Sequence, residues 1–453
     1  MNPAADLFAL PLADSWLVVA PLRGISARVN ARAVAKLATV SGDEQACAVA
    51  QLSEFFASAS APAPQPRRGE ISPDFLGIIT TRSCNMECVY CDFAANQSTP
   101  EILEPKTAVA AIDWMADLSA REGRQTLNVH LFGGEPLLAE DAVDIVVHRT
   151  RLAAAARGMA PVLEVATNGA CSESRARFAG AYFSTVSLSM DGPEEYHDAH
   201  RRFRNSAGSF AVVERTARLL AEGAAGLNIR VCVSERNVHA LGKIAEWMAK
   251  EFRPTAVDFE PLRPTRESDR DGLMPPDPHT LASSLLEAYR SASQWGVEVK
   301  YSAALREKPR ICFCPLANDA VILEADGNLN ACYLRKDSWE SNGIDLRIGK
   351  VTQSGEVRLN PSALNRVRQL AVQPAKCQEC FCRFWCAGGC RVTHSKSQSG
   401  YDNFCIQTRL ITTVYLLEQL KDSEAATSLL ANRHAAERLA LRTSDRLADW
   451  KEA

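Results

Sequence analysis

From residue 75 to 264 the sequence repeats one kind of unit, and that repetition constrains the fold more than any other feature. Short β-rich runs alternate with stretches of helical spacing. The runs are LGIITT (76–81), LNVHLFGG (127–134), LEVATNG (163–169), STVSLSMDG (184–192), LNIRVCVS (227–234) and VDFEPLRP (257–264). KTAVAAIDWMADLSA and AEDAVDIVVHRTRLAAAA are two of the helical stretches between them. Strands joined through helices pair in parallel, with the helices outside. Six such units predict an α/β barrel or part of one. In such barrels the chemistry collects at the C-terminal ends of the strands. The unusual residues do follow the strands. CNMECVYC (84–91) comes after the first, GGEP (Gly133, Gly134, Glu135, Pro136) ends the second, and TNG (Thr167, Asn168, Gly169) ends the third. SLSMDG, with Ser189 and Asp191, ends the fourth. Gly and Asn make turns anywhere, but four such signals on one rim, beside three cysteines, predict one site.

The flanks read differently. Residues 1–56 predict a small α+β segment: strands FALPL, SWLVVAP and GISARVN, then helices ARAVAKLATV and DEQACAVAQLSEFFA. ASASAPAPQPRRGE opens a linker over 57–73, and the barrel covers 74–304. Over 305–410 the alternation gives way to cysteines, glycines and short runs, and 411–453 is helical in character. The chain's 453 residues suffice for two or three domains with large cores. A net charge of -3 gives no reason to expect nucleic acid or an anionic membrane as partner. No apolar run reaches the ~18–20 residues a membrane span needs, and MNPAADLFALPLADSW has no basic leader. The expected location is the cytoplasm. Thiols stay reduced there, so the fifteen cysteines read as metal ligands or catalysts rather than disulfides.

Cys84, Cys88 and Cys91 are spaced C-x3-C-x2-C. Three thiolates on one tight loop can hold three corners of an iron–sulfur cube and leave the fourth iron open. Electron-transfer clusters use four cysteines, and structural zinc sites also close with four ligands. A zinc site completed by a distant His or Cys is the alternative. CNMECVYC, with Tyr90 before its last cysteine, resembles the signature of the radical S-adenosylmethionine (SAM) superfamily, and the resemblance runs from about 75 to 300. It implies a partial (β/α)6 TIM-type barrel and a [4Fe–4S] cluster that binds SAM. GGEP then corresponds to the motif for the SAM amino group, its glycine backbone offering carbonyls to an ammonium. Thr167, Asn168, Ser189 and Asp191 fall where the family contacts the ribose and methionine parts. Arg201 corresponds to a partner of the SAM carboxylate, with Arg202 as the alternative. The implied chemistry is a 5′-deoxyadenosyl radical that abstracts hydrogen, after one electron arrives from a reductant such as a flavodoxin or ferredoxin.

A second cysteine field begins at CFCPLANDAVILEADGNLNAC (312–332), where Cys314, Gly327 and Cys332 give C-x12-G-x4-C. CQECFCRFWCAGGC (377–390) follows, with Cys377, Cys380, Cys386 and Cys390 spaced x2, x5 and x3, and then Cys405. This resembles the SPASM extension of radical SAM enzymes, which holds one or two auxiliary [4Fe–4S] clusters. The resemblance implies Cys314, Cys332 and Cys390 at one cluster and Cys377, Cys380, Cys386 and Cys405 at the other. One cube is then a ligand short; Cys312 either supplies it or leaves an open iron. Cys382 is a spare thiol, and Cys47, Cys171 and Cys232 read as buried small hydrophobes. Two zincs in a zinc-ribbon-like arrangement are the alternative.

SPASM-bearing relatives mostly modify peptides and proteins. They make crosslinks in ribosomal peptides, oxidise a sulfatase Ser or Cys to formylglycine, or process cofactor-precursor peptides. Residues 1–56 resemble the small element by which ribosomal-peptide maturases bind a leader peptide as an added strand; a structural cap on the barrel is the equal alternative. Sulfatase maturases carry an acidic residue after the cysteine corresponding to Cys332, and this chain has Tyr333. The expectation is therefore a maturase of a ribosomally made precursor peptide, forming a carbon–carbon, ether or thioether crosslink between side chains. An anaerobic sulfatase maturase is the runner-up. A non-catalytic iron–sulfur peptide-binding protein is the reading of another class, and the intact triplet and GGEP argue against it. No residue stands out as the proton acceptor.

Overall fold

The computed structural model describes residues 7–38, 60–94, 101–305, 308–393 and 401–447. The second predicted N-terminal helix and Cys47 lie outside them. Each of the six β-rich runs forms a strand. Three strands of a separate N-terminal sheet come first: β1 (Phe8–Pro11), β2 (Trp16–Ala20) and β3 (Ile25–Val29). The six are β4 (Leu76–Ile79), β5 (Thr126–Phe132), β6 (Ala160–Thr167), β7 (Thr185–Ser189), β8 (Gly226–Val233) and β9 (Ala256–Pro261). They pair in parallel in chain order, and β10 (Glu298–Lys300) continues the sheet beyond β9.

The alternation within each strand sets its two faces. In β5, Leu127, Val129 and Leu131 are buried under helices Pro105–Arg121 and Glu140–Ala155, whereas Asn128, His130 and Phe132 face the concave interior and stay half-buried. The helices carry ordinary start signals. Ser172 accepts from the Arg175 N–H at the start of Glu173–Tyr182, and Asp277 accepts from Thr280 N–H at the start of Pro278–Ser293.

The cysteine-rich region is not a separate body. Its first strand, β11 (Val321–Leu323), pairs in parallel with β4 on the side away from β5. The sheet then turns antiparallel through β12 (Asn328–Asn330), β13 (Arg347–Val351) and β14 (Val357–Leu359), giving eleven strands among the described residues. Gly77 in β4 permits this junction. A Cβ there would sit 2.4 Å from Ile322 Cδ1 and 2.5 Å from the Tyr333 hydroxyl. Arg82, just past β4, pairs with Glu324, just past β11, at 2.5 Å, and also donates to the Phe93 and Tyr333 carbonyls. One hydrophobic core runs through both regions. Helix Asn403–Gln419 crosses the boundary placed at 410 and packs on Pro278–Ser293, with Arg290 paired to Glu418 at 2.5 Å. Residues 60–73 contain no helix or strand.

The N-terminal sheet is likewise built in. Phe8, Leu10, Leu17 and Val19 enter the main core, and Ala9, Val18 and Ala20 face Val34 and Leu37 of helix Ala31–Ala38. The outer edge of β1 is taken by the C-terminal segment: Ala9 N–H donates to the Asp445 carbonyl at 2.8 Å and Leu447 N–H to the Leu7 carbonyl at 3.0 Å. Among the described residues the outer edge of β3 pairs with no strand. No described helix is long and apolar enough to cross a membrane.

Candidate functional site

The loop after β4 carries Cys84, Cys88 and Cys91, all half-buried. It is pinned from two sides. Glu87 N–H donates to the Arg202 carbonyl and Val89 N–H to the His200 carbonyl, which lays the loop along residues 200–203. Gly134 N–H donates to the Thr81 carbonyl and Glu135 N–H to the Ser83 carbonyl. The two glycines are required by this contact. Gly133 has φ +146°, and a Cβ on Gly134 would lie 2.2 Å from the Ser83 carbonyl oxygen. The Pro136 carbonyl, in turn, accepts from the Thr80 hydroxyl.

Glu135 is buried and ties the second rim signal to the third. Its carboxylate accepts from Leu137 N–H at 3.0 Å, the Thr167 hydroxyl at 2.8 Å and Asn168 N–H at 2.6 Å. Burial nevertheless pushes its pKa up to about 7. Asn168 points back at the loop, donating through Nδ2 to Asn85 Oδ1 at 2.9 Å and to Cys84 Sγ at 3.4 Å.

The fourth signal braces the loop from below. Asp191 is fully buried and accepts from the Tyr90 hydroxyl (2.8 Å), the Cys232 N–H (2.8 Å) and, through both oxygens, Arg201; His200 Nδ1 lies 3.2 Å away. Burial alone would raise its pKa; Arg201 and His200 outweigh it and hold Asp191 well below the usual carboxylate range. Arg201 lies over the Tyr90 ring, whereas Arg202 turns outward to Asp271. The structure thus separates the two arginines that the sequence leaves equivalent. Ser189 is half-buried on the interior face at the end of β7.

The donor set fits an iron–sulfur cluster. Three soft thiols share one loop, and N–H groups are aimed at their sulfurs: Met86 N–H and Asn168 Nδ2 at Cys84, Ala94 N–H at Cys91, each at 3.4 Å. Burial pushes the Cys84 thiol up to about 11, so ligation rather than bulk pH must supply its thiolate.

Cys377, Cys380, Cys386 and Cys405 line one cavity, together with Cys382, Tyr401 and Arg409. Burial, and after it the charge of nearby Cys390, pushes the Cys332 thiol up to about 11. Cys312 is buried against Cys314, whose thiol donates to it and draws its pKa down to about 6. Among the described residues no three Cys, His, Asp or Glu side chains converge on a single-ion position. Two of the cysteines read as buried are only half-buried. Cys171 follows the third rim signal, and Cys232 ends β8 beside Tyr90, Val89 and Leu262. Both sit at the barrel mouth, where strand ends open, rather than under helices.

Sequence reasoning missed three residues here. Arg82 and Glu324, 242 positions apart, join the two cysteine regions. Arg409 lies four residues after Cys405 on one helix, and that i, i+4 spacing was the available signal.

Residues 78–248 match the radical SAM superfamily model. The chain is similar to the cysteine-type anaerobic sulfatase-maturating enzyme of Clostridium novyi, 24% identical over 335 residues, which cover 68% of this chain and 85% of that one. It is 30% identical over 207 residues to the mycofactocin maturase MftC of Mycobacterium tuberculosis, covering 44% of this chain and 48% of the relative. The solved structure of native anSMEcpe with bound AdoMet and Kp18Cys peptide superposes with a TM-score of 0.56 at 19% identity, over 77% of this chain and 99% of that one.

Proposed function

We propose that this radical SAM protein is a maturase that oxidises a ribosomally made peptide, joining two of its side chains. The observation that carries the reading is the placement of the cysteine triplet. It lies on the rim of a polar-lined sheet, and Arg82 and Glu324 clip it to a second cysteine field. When bound, the cluster and SAM supply a 5′-deoxyadenosyl radical. Cys84, Cys88 and Cys91 hold the cluster. GGEP, Thr167 and Asn168 fix the loop's outer side, and Tyr90, Asp191 and Arg201 brace its inner side. Arg201 is tied to Asp191 through Nε and Nη2, which leaves Nη1 for a SAM carboxylate. Ser189, half-buried on the interior face, is the group for the ribose.

Crosslinking removes two hydrogens in all. The radical takes one; the other leaves as a proton and an electron, so an electron acceptor is needed. Auxiliary clusters would supply that acceptor; Cys314, Cys332 and Cys390 would hold one and Cys377, Cys380, Cys386 and Cys405 the other. Cys312, packed on Cys314, is the fourth ligand of the first. The peptide's leader adds to the outer edge of β3, since Asp445 to Leu447 already occupy that of β1. Reduction by a flavodoxin or ferredoxin, and a cytoplasmic location, belong to the same reading.

The similarity to the sulfatase-maturating enzyme favours formylglycine formation as a second reading. Tyr333 weighs against it. Its ring is wedged against Gly77 and Phe132, and burial drives its pKa up, so its phenolate is not available as a base. The test is anaerobic incubation of reduced enzyme and SAM with two substrates: a short peptide encoded beside this gene, and a sulfatase peptide bearing Cys or Ser. Loss of two hydrogens from the first, with no aldehyde in the second, is the expected result. Aldehyde formation in the sulfatase peptide alone would replace crosslinking with the second reading.

A further inference from the structure

One of the buried cationic groups is spent on a cysteine sulfur. Arg409 is 1% exposed and donates through Nη1 to Cys380 Sγ at 3.3 Å. Asp445, fully buried, orients it by accepting from Nη1 at 2.6 Å and Nη2 at 2.9 Å. The guanidinium is further fixed by the Leu439 carbonyl at 2.8 Å and by the Tyr401 ring, 4.5 Å away. Cys382, which the spacing leaves without a role, is buried and lines the same cavity as Cys380. Cys380 therefore receives a charged side-chain donor and shares its cavity with a second thiol, two residues on in the chain. Hydrogen bonds to cluster sulfurs stabilise the reduced, more negative state.

We propose that Arg409 and Cys382 are positioning residues that raise the reduction potential of the cluster held by Cys377, Cys380, Cys386 and Cys405. The proposal rests on the reading that these four cysteines hold a cluster. Asp445 is the brace that keeps Arg409 on target. The same residue accepts from Ala9 N–H of β1 through its carbonyl, so the N-terminal sheet is bonded to the residue that aims the guanidinium.

The test is a spectroscopically monitored redox titration of the full-length, anaerobically reconstituted protein, with iron counted per chain. Cys382→Ala and Arg409→Gln should each keep full iron. Each should lower the reduced-to-oxidised ratio of one auxiliary cluster about tenfold at the wild-type midpoint, or ~59 mV for one electron. Cys382→Ser keeps a donor and should return that ratio to within about threefold of wild type. The cluster at Cys84, Cys88 and Cys91 should not shift. If Arg409→Gln does not fold, the Ala and Ser variants of Cys382 decide. Unchanged midpoints at full iron would overturn the proposal alone. Loss of a cluster's iron in Cys382→Ala would overturn it by making Cys382 a ligand. Iron unchanged on replacing Cys377, Cys380, Cys386 and Cys405 together would sink the cluster reading first.

Discussion

Gly134 shows what a single residue decides here. A Cβ there would press on the Ser83 and Arg82 carbonyls at 2.2 and 2.4 Å, and backbone cannot yield as a side-chain end can. Gly134→Ala should cost about 1–3 kcal/mol of stability. It should also slow 5′-deoxyadenosine formation at least tenfold while circular dichroism stays native; an unchanged rate would mean the loop is not held by this contact. Glu135 makes a pH prediction. Its pKa, near 4.5 unfolded and about 7 folded, means that the folded state binds the extra proton between those values. Its stabilising contribution is present below about 4.5 and is lost as pH rises through about 7. Thermal melts across that window should therefore show wild type losing more stability on raising pH than Glu135→Gln. Equal slopes would contradict the burial argument. At this scale the cysteine pattern was legible because its spacing is local. Arg82 with Glu324 was not, because nothing in a sequence marks two charges 242 residues apart as partners.

At the scale of elements, β5, β6, β7 and β8 were legible because each has a buried alternate face, and β4 because it is apolar and buried throughout. β11, β12 and β14 have three residues each, too short for any period to declare itself. Their place became clear only from pairing. β11 lies on β4 because Gly77 leaves room for Ile322 and Tyr333, and the adjacent Arg82–Glu324 pair is only 11% and 15% exposed. Removing one partner of a pair this buried typically costs about 3 kcal/mol or more. Glu324→Ala should lower the urea midpoint accordingly, and it should uncouple the β4–β11 edge in hydrogen exchange before the β5–β8 strands. A midpoint within error of wild type would show the clip to be incidental.

Among the described residues, an eleven-stranded sheet carries two cysteine fields, and a three-stranded N-terminal sheet is bonded to residues 445–447. Residues 1–56 read from the sequence either as a leader-binding element or as a cap on the barrel. Within 7–38, Phe8, Leu10, Leu17 and Val19 join the main core, and Ala9 and Leu7 are bonded to Asp445 and Leu447. Sequence could not show this, because both contacts join opposite ends of the chain. Deleting residues 1–38 should therefore destabilise the entire fold rather than abolish peptide binding alone, as a single lowered unfolding transition would report. The central claim concerns the triplet on the rim. Its most direct test is 5′-deoxyadenosine released by the reduced, anaerobic protein with SAM, compared with Cys84→Ala/Cys88→Ala/Cys91→Ala. The wild type should release it, and the triple variant should release none while keeping the auxiliary-cluster absorbance. Release by the triple variant, or none from an iron-replete wild type even with a cognate peptide, would contradict the account.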